Sequence, residues 1–232
     1  MKFFAINGSH RKDGNTAQLL EKALEGIKSV CSDAEIESVN LYDATKYSDN
    51  IYFADLAING CKSCFACKKI NGRHYGKCVY KDDFKPILEE IVQADGVILG
   101  SPVYFGDVSG VMRCFLERFI FPFFVYDEDM TSLAPKKMAI GCIYTMNLDE
   151  ETARQFGYHD LFDKNEFVLE KMFTKPFHIY SYDTYQFDYS KYKMDLFTEE
   201  EKLKTRKMQF PIDLENAFKL GEKIAIEAKQ RG

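Results

Sequence analysis

The sequence predicts an α/β protein in which a doubly wound, five-stranded parallel sheet carries helices on both faces. Three observations predict it. Short apolar runs recur along the chain and two of them end at glycine, stretches with helical periodicity separate them, and the separations are long enough for parallel crossovers, which need a dozen or more residues. Lys2 to Asn7 is the first such run and reads as a buried strand. Asn15 or Thr16 caps the helix that follows, with Ala17, Leu20, Ala23, Leu24 and Ile27 as its inward stripe. Ala34 to Leu41 is the second strand, and residues 42–80 form an extended loop that contains a cysteine group. Asp82-Asp83 opens a helix with Phe84, Ile87, Leu88, Ile91 and Val92 on one face.

Gly96 to Gly100 is the third strand. A loop then leads to a helix over Ser109 to Phe119 with Val111, Cys114, Phe115 and Phe119 inward. Met138 to Tyr144 is the fourth strand, a segment near 146–174 reads as an insertion around a short helix, and Lys175 to Tyr185 contains the fifth strand. Asp213 to Lys229 closes the pattern as a helix with Leu214, Ala217, Phe218, Gly221, Ile224 and Ala225 on one face. The aromatic tract from Phe173 to Tyr192 reads as a buried strand and a packed loop, and Glu199-Glu200-Glu201-Lys202 as a solvated helix start.

Composition narrows the function classes. With 232 residues, 46% hydrophobic, and no repeat or Pro, Gly or Ser linker, a single domain over 1–232 is expected. Twenty Phe and 14 Tyr supply apolar area that a disordered chain lacks. The net charge of -5 gives no general attraction to nucleic acid or anionic lipid. No stretch approaches the roughly 20 apolar residues of a membrane span, and the start Met1 to Ile6 is too short for a signal peptide core, so a cytoplasmic location is expected. Seven cysteines, an odd count with three packed as Cys61, Cys64 and Cys67, suit redox or metal chemistry in a reducing compartment better than a disulfide framework.

In an open parallel sheet, ligands gather at the carboxyl ends of the strands where the strand order reverses. The two most distinctive loops fall there. Gly8-Ser9-His10-Arg11-Lys12-Asp13-Gly14-Asn15-Thr16 joins a strand to a helix, so backbone N–H groups and side chains converge at the positive end of that helix. Ser9, Asn15 and Thr16 can donate to phosphate oxygens, and Arg11 can add a charge-assisted bond. A nucleotide P-loop would place Gly-Lys-Ser/Thr after four residues, and the dinucleotide fingerprint Gly-x-Gly-x-x-Gly is missing. Read alone, the loop also fits a polar turn with a capping Asn. Gly100-Ser101-Pro102-Val103-Tyr104-Phe105-Gly106 follows the third strand with a rigid Pro, two aromatics and a Gly that allows close backbone approach, features against which a flat ring can dock.

The two loops together, with Ser109-Gly110-x-Met112-Arg113-x-Phe115-Leu116-Glu117-Arg118 after them, resemble the flavodoxin-like NADPH-dependent FMN reductase family and its quinone reductase and iron-sulfur flavoprotein relatives. The resemblance covers roughly residues 1 to 145. It implies a flavodoxin-like fold, FMN as cofactor and NADPH or NADH as co-substrate. It also implies that Ser9, Arg11, Asn15 and Thr16 hold the FMN phosphate while Pro102, Val103, Tyr104, Phe105 and Gly106 lie along the isoalloxazine. A third flavin-contacting loop falls at Tyr144-Thr145-Met146, and a homodimer or homotetramer is implied. The expected function is an FMN-dependent NAD(P)H oxidoreductase passing electrons to a quinone, flavin or other small acceptor. Such chemistry belongs to the cofactor, so no catalytic side-chain constellation and no metal site are required.

Cys61, Cys64 and Cys67 have spacings that let three thiolates converge, with Cys78 as a fourth ligand, which resembles iron-sulfur ligation. Ten residues separate Cys67 from Cys78, a longer gap than in the compact sets of the iron-sulfur relatives, and cluster-free members carry a similar pattern. An iron-sulfur cluster therefore stays an unfavoured alternative, in which the protein is an electron carrier. Zinc, a redox disulfide and a non-catalytic flavin-binding module are further options. Cys114 and Cys142 read as small core residues.

Overall fold

Hydrophobic alternation in the strands builds two separate cores. In a computed structural model, which describes residues 1–42 and 58–231, Phe3, Ala5, Ile98, Ala139 and Ile143 face one side of the sheet, and Phe4, Ile6, Val97, Leu99, Ile140 and Cys142 face the other. Period-two side chains on strands buried on both faces give this division. The parallel strands are β1 (Lys2–Asn7), β2 (Glu35–Asn40), β3 (Gly96–Tyr104), β5 (Ala139–Thr145) and β6 (Phe177–Ser181), in the order β2-β1-β3-β5-β6. A two-residue strand, β4 (Asp107–Val108), pairs antiparallel with the end of β3. The five parallel strands and the helices on both faces match the expected fold class.

Helices α1 (Asn15–Val30) and α7 (Phe210–Arg231) cover one face. Helices α2 (Lys85–Ile91), α3 (Gly110–Ile120) and α5 (Tyr158–Met172) cover the other. Two glycines let α1 and α7 cross closely. A Cβ on Gly26 would meet the Phe218 carbonyl oxygen at 2.0 Å, and one on Gly221 would meet the Ala23 oxygen at 1.8 Å.

Several expected elements shift. The buried stripe of α1 is Thr16, Leu19, Leu20, Ala23, Gly26 and Ile27, with Ala17 and Leu24 at its margins. Asp82 and Asp83 do not sit at a helix start, because α2 begins at Lys85. Asp82 instead forks with the fully buried side chain of Arg118 on α3, Oδ1 accepting from Nη2 at 2.9 Å. Strand β3 runs four residues past Gly100, so the second loop is the end of a strand and a hairpin. Within residues 146–174, read as an insertion around a short helix, α4 (Glu150–Gln155) and α5 form the connection between β5 and β6. Most of the loop assigned to 42–80 that precedes the cysteines, residues 43–57, lies outside the described residues.

The acidic run does open a helix, α6 (Glu199–Met208), with a capping box between Thr198 and Glu201. Lys202 is not solvated, however. It is 1% exposed, and its ammonium donates to the Asn147 carbonyl at 2.5 Å and pairs with Asp183. Burial of a lysine in this way requires such partners, because an unpaired charge removed from water costs several kcal/mol.

Candidate functional site

The strand order reverses between β1 and β3, and the loops that follow these strands are tied together at their roots. The Gly8 amide donates to the Gly100 carbonyl at 2.8 Å. Ser109, the N-cap of α3, donates its hydroxyl to the Gly8 carbonyl at 2.7 Å, and its amide donates to Ser101 Oγ at 2.9 Å.

The first loop forms an anion cradle. Gly14 occupies the N-cap of α1 without a side-chain cap, so Asn15 and Thr16 are the first helical residues and not the expected capping residues. The reason lies in their side chains, which are engaged elsewhere. The first intrahelical bond runs from Gln18 N to the Gly14 carbonyl at 3.1 Å, so the amides of Asn15, Thr16 and Ala17 precede the helical ladder. Three N–H groups at the positive end of a helix attract an anion. Ser9 is buried beside them, and its Oγ accepts from Arg11 N at 3.2 Å. A hydroxyl that accepts one bond keeps a hydrogen to donate.

The remaining side chains of the cradle meet the segment after β6. Arg11 Nη1 donates to the Gln186 carbonyl at 2.9 Å, and its guanidinium lies 5.4 Å from the Phe187 ring centre. Asn15 Nδ2 donates to the Tyr185 carbonyl at 2.9 Å, while Asn15 Oδ1 accepts from Arg206 Nη1 at 2.8 Å. Thr16 Oγ1 and Thr145 Oγ1 share a buried hydrogen bond of 2.7 Å. Ser9, Arg11, Asn15 and Thr16 are thus brought to one place.

The second loop, read from sequence as a docking loop for a flat ring, is a β-hairpin. Val103 pairs with Val108 and Tyr104 with Asp107, leaving Phe105-Gly106 as a two-residue hairpin turn with φ of +52° and +84°. Positive φ at both central residues is the type I′ pattern that suits the twist of a hairpin. Gly106 is at ease there, and a Cβ on it would press on the Tyr158 ring at 3.0 Å. Phe105 is strained by the same geometry and is also fully exposed, so the turn holds this ring out at its tip. Pro102 and Val103 are half-buried at the base, and Tyr104 is exposed. Arg113 braces the hairpin by forking onto Asp107 at 3.0 and 2.8 Å.

Tyr42 and His10 add an aromatic rim, with ring centres 5.3 Å apart. Burial pushes the Tyr42 phenol up from its ordinary value, with nearby Tyr104 adding to the shift. The end of the sheet where the strand order reverses therefore carries both the helix-end amides and a group of aromatic side chains. Sequence reasoning missed Arg206 and the carbonyls of Tyr185 and Gln186, which no local motif marks.

The cysteines form no second centre of the same kind. Cys61, Cys64, Cys67 and Cys78 border one narrow cleft with Tyr80, Glu117, Arg118 and Phe121, at the end of α3 farther from the crevice. All are free thiols, and among the described residues no three His, Cys, Asp or Glu side chains form a group that could hold a metal ion. Burial raises the Cys67 thiol above its ordinary value, which Lys68 only partly offsets. Cys142 is a core residue as expected, and Cys114 is half-buried against the same core. A cavity of about 530 Å³ between α2 and Leu133 also lies away from the crevice, so the amides at the start of α1 locate the site better than volume does.

A doubly wound sheet with an anion cradle after β1 and an aromatic hairpin after β3 defines a flavodoxin-like protein. The chain belongs to the NADPH-dependent FMN reductase family, whose model matches residues 1–152. It is 37% identical over 118 residues to an iron-sulfur flavoprotein of Archaeoglobus fulgidus, covering 51% of this chain and 48% of that relative. It is 38% identical over 118 residues to one of Methanocaldococcus jannaschii, covering 51% of each. The chain thus spans about half the length of the curated relatives it matches. The fold is shared with an azoreductase of Bacillus anthracis, at a TM-score of 0.63 and 13% identity over 96% of this chain and 99% of that one. It is also shared with an NAD(P)H:quinone oxidoreductase of Methanothermobacter marburgensis, at 0.63 and 12% over 96% and 98%. Among the described residues no helix is long and apolar enough to cross a membrane.

Proposed function

We propose that this chain binds FMN in the crevice and acts as an NAD(P)H-dependent oxidoreductase that passes electrons to a small acceptor such as a quinone or a flavin. The observation that carries the reading is the cradle of three amides at the start of α1 that precede its hydrogen-bond ladder, with Ser9, Arg11 and Asn15 around it and the exposed Tyr104–Phe105 hairpin beside it. These residues fit the group. A phosphate monoester needs donors and positive charge, and a planar ring needs aromatic walls and backbone polar groups.

In this reading Ser9, Arg11, Asn15 and Thr16 bind the phosphate, and Pro102, Val103, Tyr104, Phe105 and Gly106 flank the ring system. FMN, when bound, supplies the acceptor for hydride from the nicotinamide and the donor to the second substrate. The chain's own work is to orient and to exclude water. The Ser109–Gly8 bond fixes the two loops against each other, the Arg113–Asp107 fork holds the hairpin, and the exposed Phe105 ring gives a substrate an apolar surface. The reading further takes residues 1–232 as one domain, cytoplasmic, and assembled as a homodimer or homotetramer.

The test is the anaerobic visible spectrum of the FMN-loaded protein during addition of NADPH, then of NADH. Bleaching of the flavin band by either nucleotide within seconds supports the reductase. An unbleached flavin would replace it with a carrier or a non-catalytic flavin-binding module. The names of the relatives and the four thiols around one cleft favour a second reading, an iron-sulfur electron carrier. Iron and acid-labile sulfide in anaerobically purified protein decide it: the reductase reading expects well below one cluster per chain, and stoichiometric iron and sulfide would establish the carrier.

A further inference from the structure

Arg206 lies on α6, beyond residues 1–152 that match the family, yet it reaches the opening of α1. Its Nη1 donates to Asn15 Oδ1 and its Nη2 to Gln18 Oε1, both at 2.8 Å. The guanidinium stacks 3.9 Å from the centre of the Phe210 ring. Among the described residues no carboxylate pairs with it. A cation without a counter-ion beside the positive end of a helix is electrostatically unfavourable by itself. A phosphate dianion would balance both.

The geometry also settles the orientation of an amide. A guanidinium has donors only, so Asn15 must present its oxygen to Arg206 and its NH2 to the other side. Gln18 is held in the same sense, its oxygen on Arg206 and its Nε2 donating to the Asp13 carbonyl at 2.8 Å. One side chain from the C-terminal third therefore orients two amides at the start of α1: Gln18 donates to Asp13 of the first loop, and Asn15 donates to the Tyr185 carbonyl and keeps a second amide hydrogen for a ligand.

We infer that Arg206 is a positioning residue for the phosphate monoester of the flavin: it fixes Asn15 as a donor and adds positive charge, so that α6 completes the phosphate site and sets the preference for FMN over riboflavin. This rests on the flavin reading above. The experiment is titration of the full chain with FMN and with riboflavin, for the wild type, Arg206→Met and Arg206→Lys. Loss of a charge-assisted contact predicts that Arg206→Met weakens FMN about tenfold and riboflavin less than twofold. Lys restores the charge but not the fork, so Arg206→Lys should lose about threefold.

A wild type that binds neither flavin would remove the flavin reading itself. A wild type that binds FMN normally while both variants match it, or lose both flavins equally, would overturn only the role of Arg206. Far-UV circular dichroism checks each fold. If Arg206→Met unfolds, Asn15→Asp serves in its place: the carboxylate keeps the bond to Arg206 but repels phosphate, so FMN affinity should fall at least tenfold with riboflavin unchanged. Retained FMN affinity in Asn15→Asp would overturn the inference.

Discussion

Thr16 and Thr145 share a buried hydrogen bond of 2.7 Å between their Oγ1 atoms, which joins the first turn of α1 to the last residue of β5. This contact ties the phosphate cradle to the end of β5. It predicts that Thr145→Val, which keeps the shape and deletes the hydroxyl, leaves Thr16 short of a buried partner and costs about 1–2 kcal/mol. Urea denaturation measures that, and FMN titration should show weakened binding in the same variant. An unchanged midpoint and affinity would mean that the two hydroxyls are not coupled.

Arg11 makes a side-chain hydrogen bond to the Gln186 carbonyl on an exposed edge of the loop. Arg11→Ala should therefore leave stability within about 0.5 kcal/mol while weakening FMN binding. Riboflavin, which lacks the phosphate, should bind as before. Parallel fluorescence titrations with the two flavins decide the point, and equal losses would place Arg11 outside the phosphate site.

His178 and Glu166 supply a pH-dependent contact on the outer side of the sheet. Glu166 Oε2 lies 2.8 Å from His178 Nδ1, and this bond raises the His178 pKa above its ordinary value, against the lowering effect of burial. A histidine raised in the folded state stabilises the fold below its unfolded value of about 6.5, and that stability is lost as pH rises through the folded value. Melting temperatures at pH 6 and pH 8.5 should thus differ more in the wild type than in Glu166→Gln. An equal difference in the two proteins would show that the pair carries no such linkage.

Gly221 is the tightest point of the α1–α7 crossing, where an added Cβ would sit 1.8 Å from the Ala23 carbonyl oxygen. That neighbour is backbone, so the helices must separate to admit a methyl group. Gly221→Ala should destabilise the fold by about 3 kcal/mol despite its better helix propensity. Wild-type stability in a denaturant titration would contradict the close crossing.

The sequence made the sheet legible because strand periodicity and glycine-terminated apolar runs are local signals. Phe4 and Ile6 against Phe3 and Ala5 show the alternation directly. The first loop was legible for the same reason, as its four named side chains lie within eight residues of one another. What was not legible depends on distant pairing. The hairpin at Phe105-Gly106 follows from the partnering of β4 with β3, which a two-residue strand does not announce. Lys202 looked solvated because its partners, Asn147 and Asp183, are remote in sequence. Arg206 lies 191 residues from Asn15, and only the packing of α6 on α7 and of α7 on α1 brings them together.

The central claim is that the cradle at the start of α1 holds one FMN. Titrating FMN into the purified chain while following its fluorescence and anisotropy tests this most directly. Saturation at one FMN per chain, with anisotropy rising to that of a particle the size of the protein, is the predicted result. Fluorescence and anisotropy that stay at the values of free FMN would contradict the account.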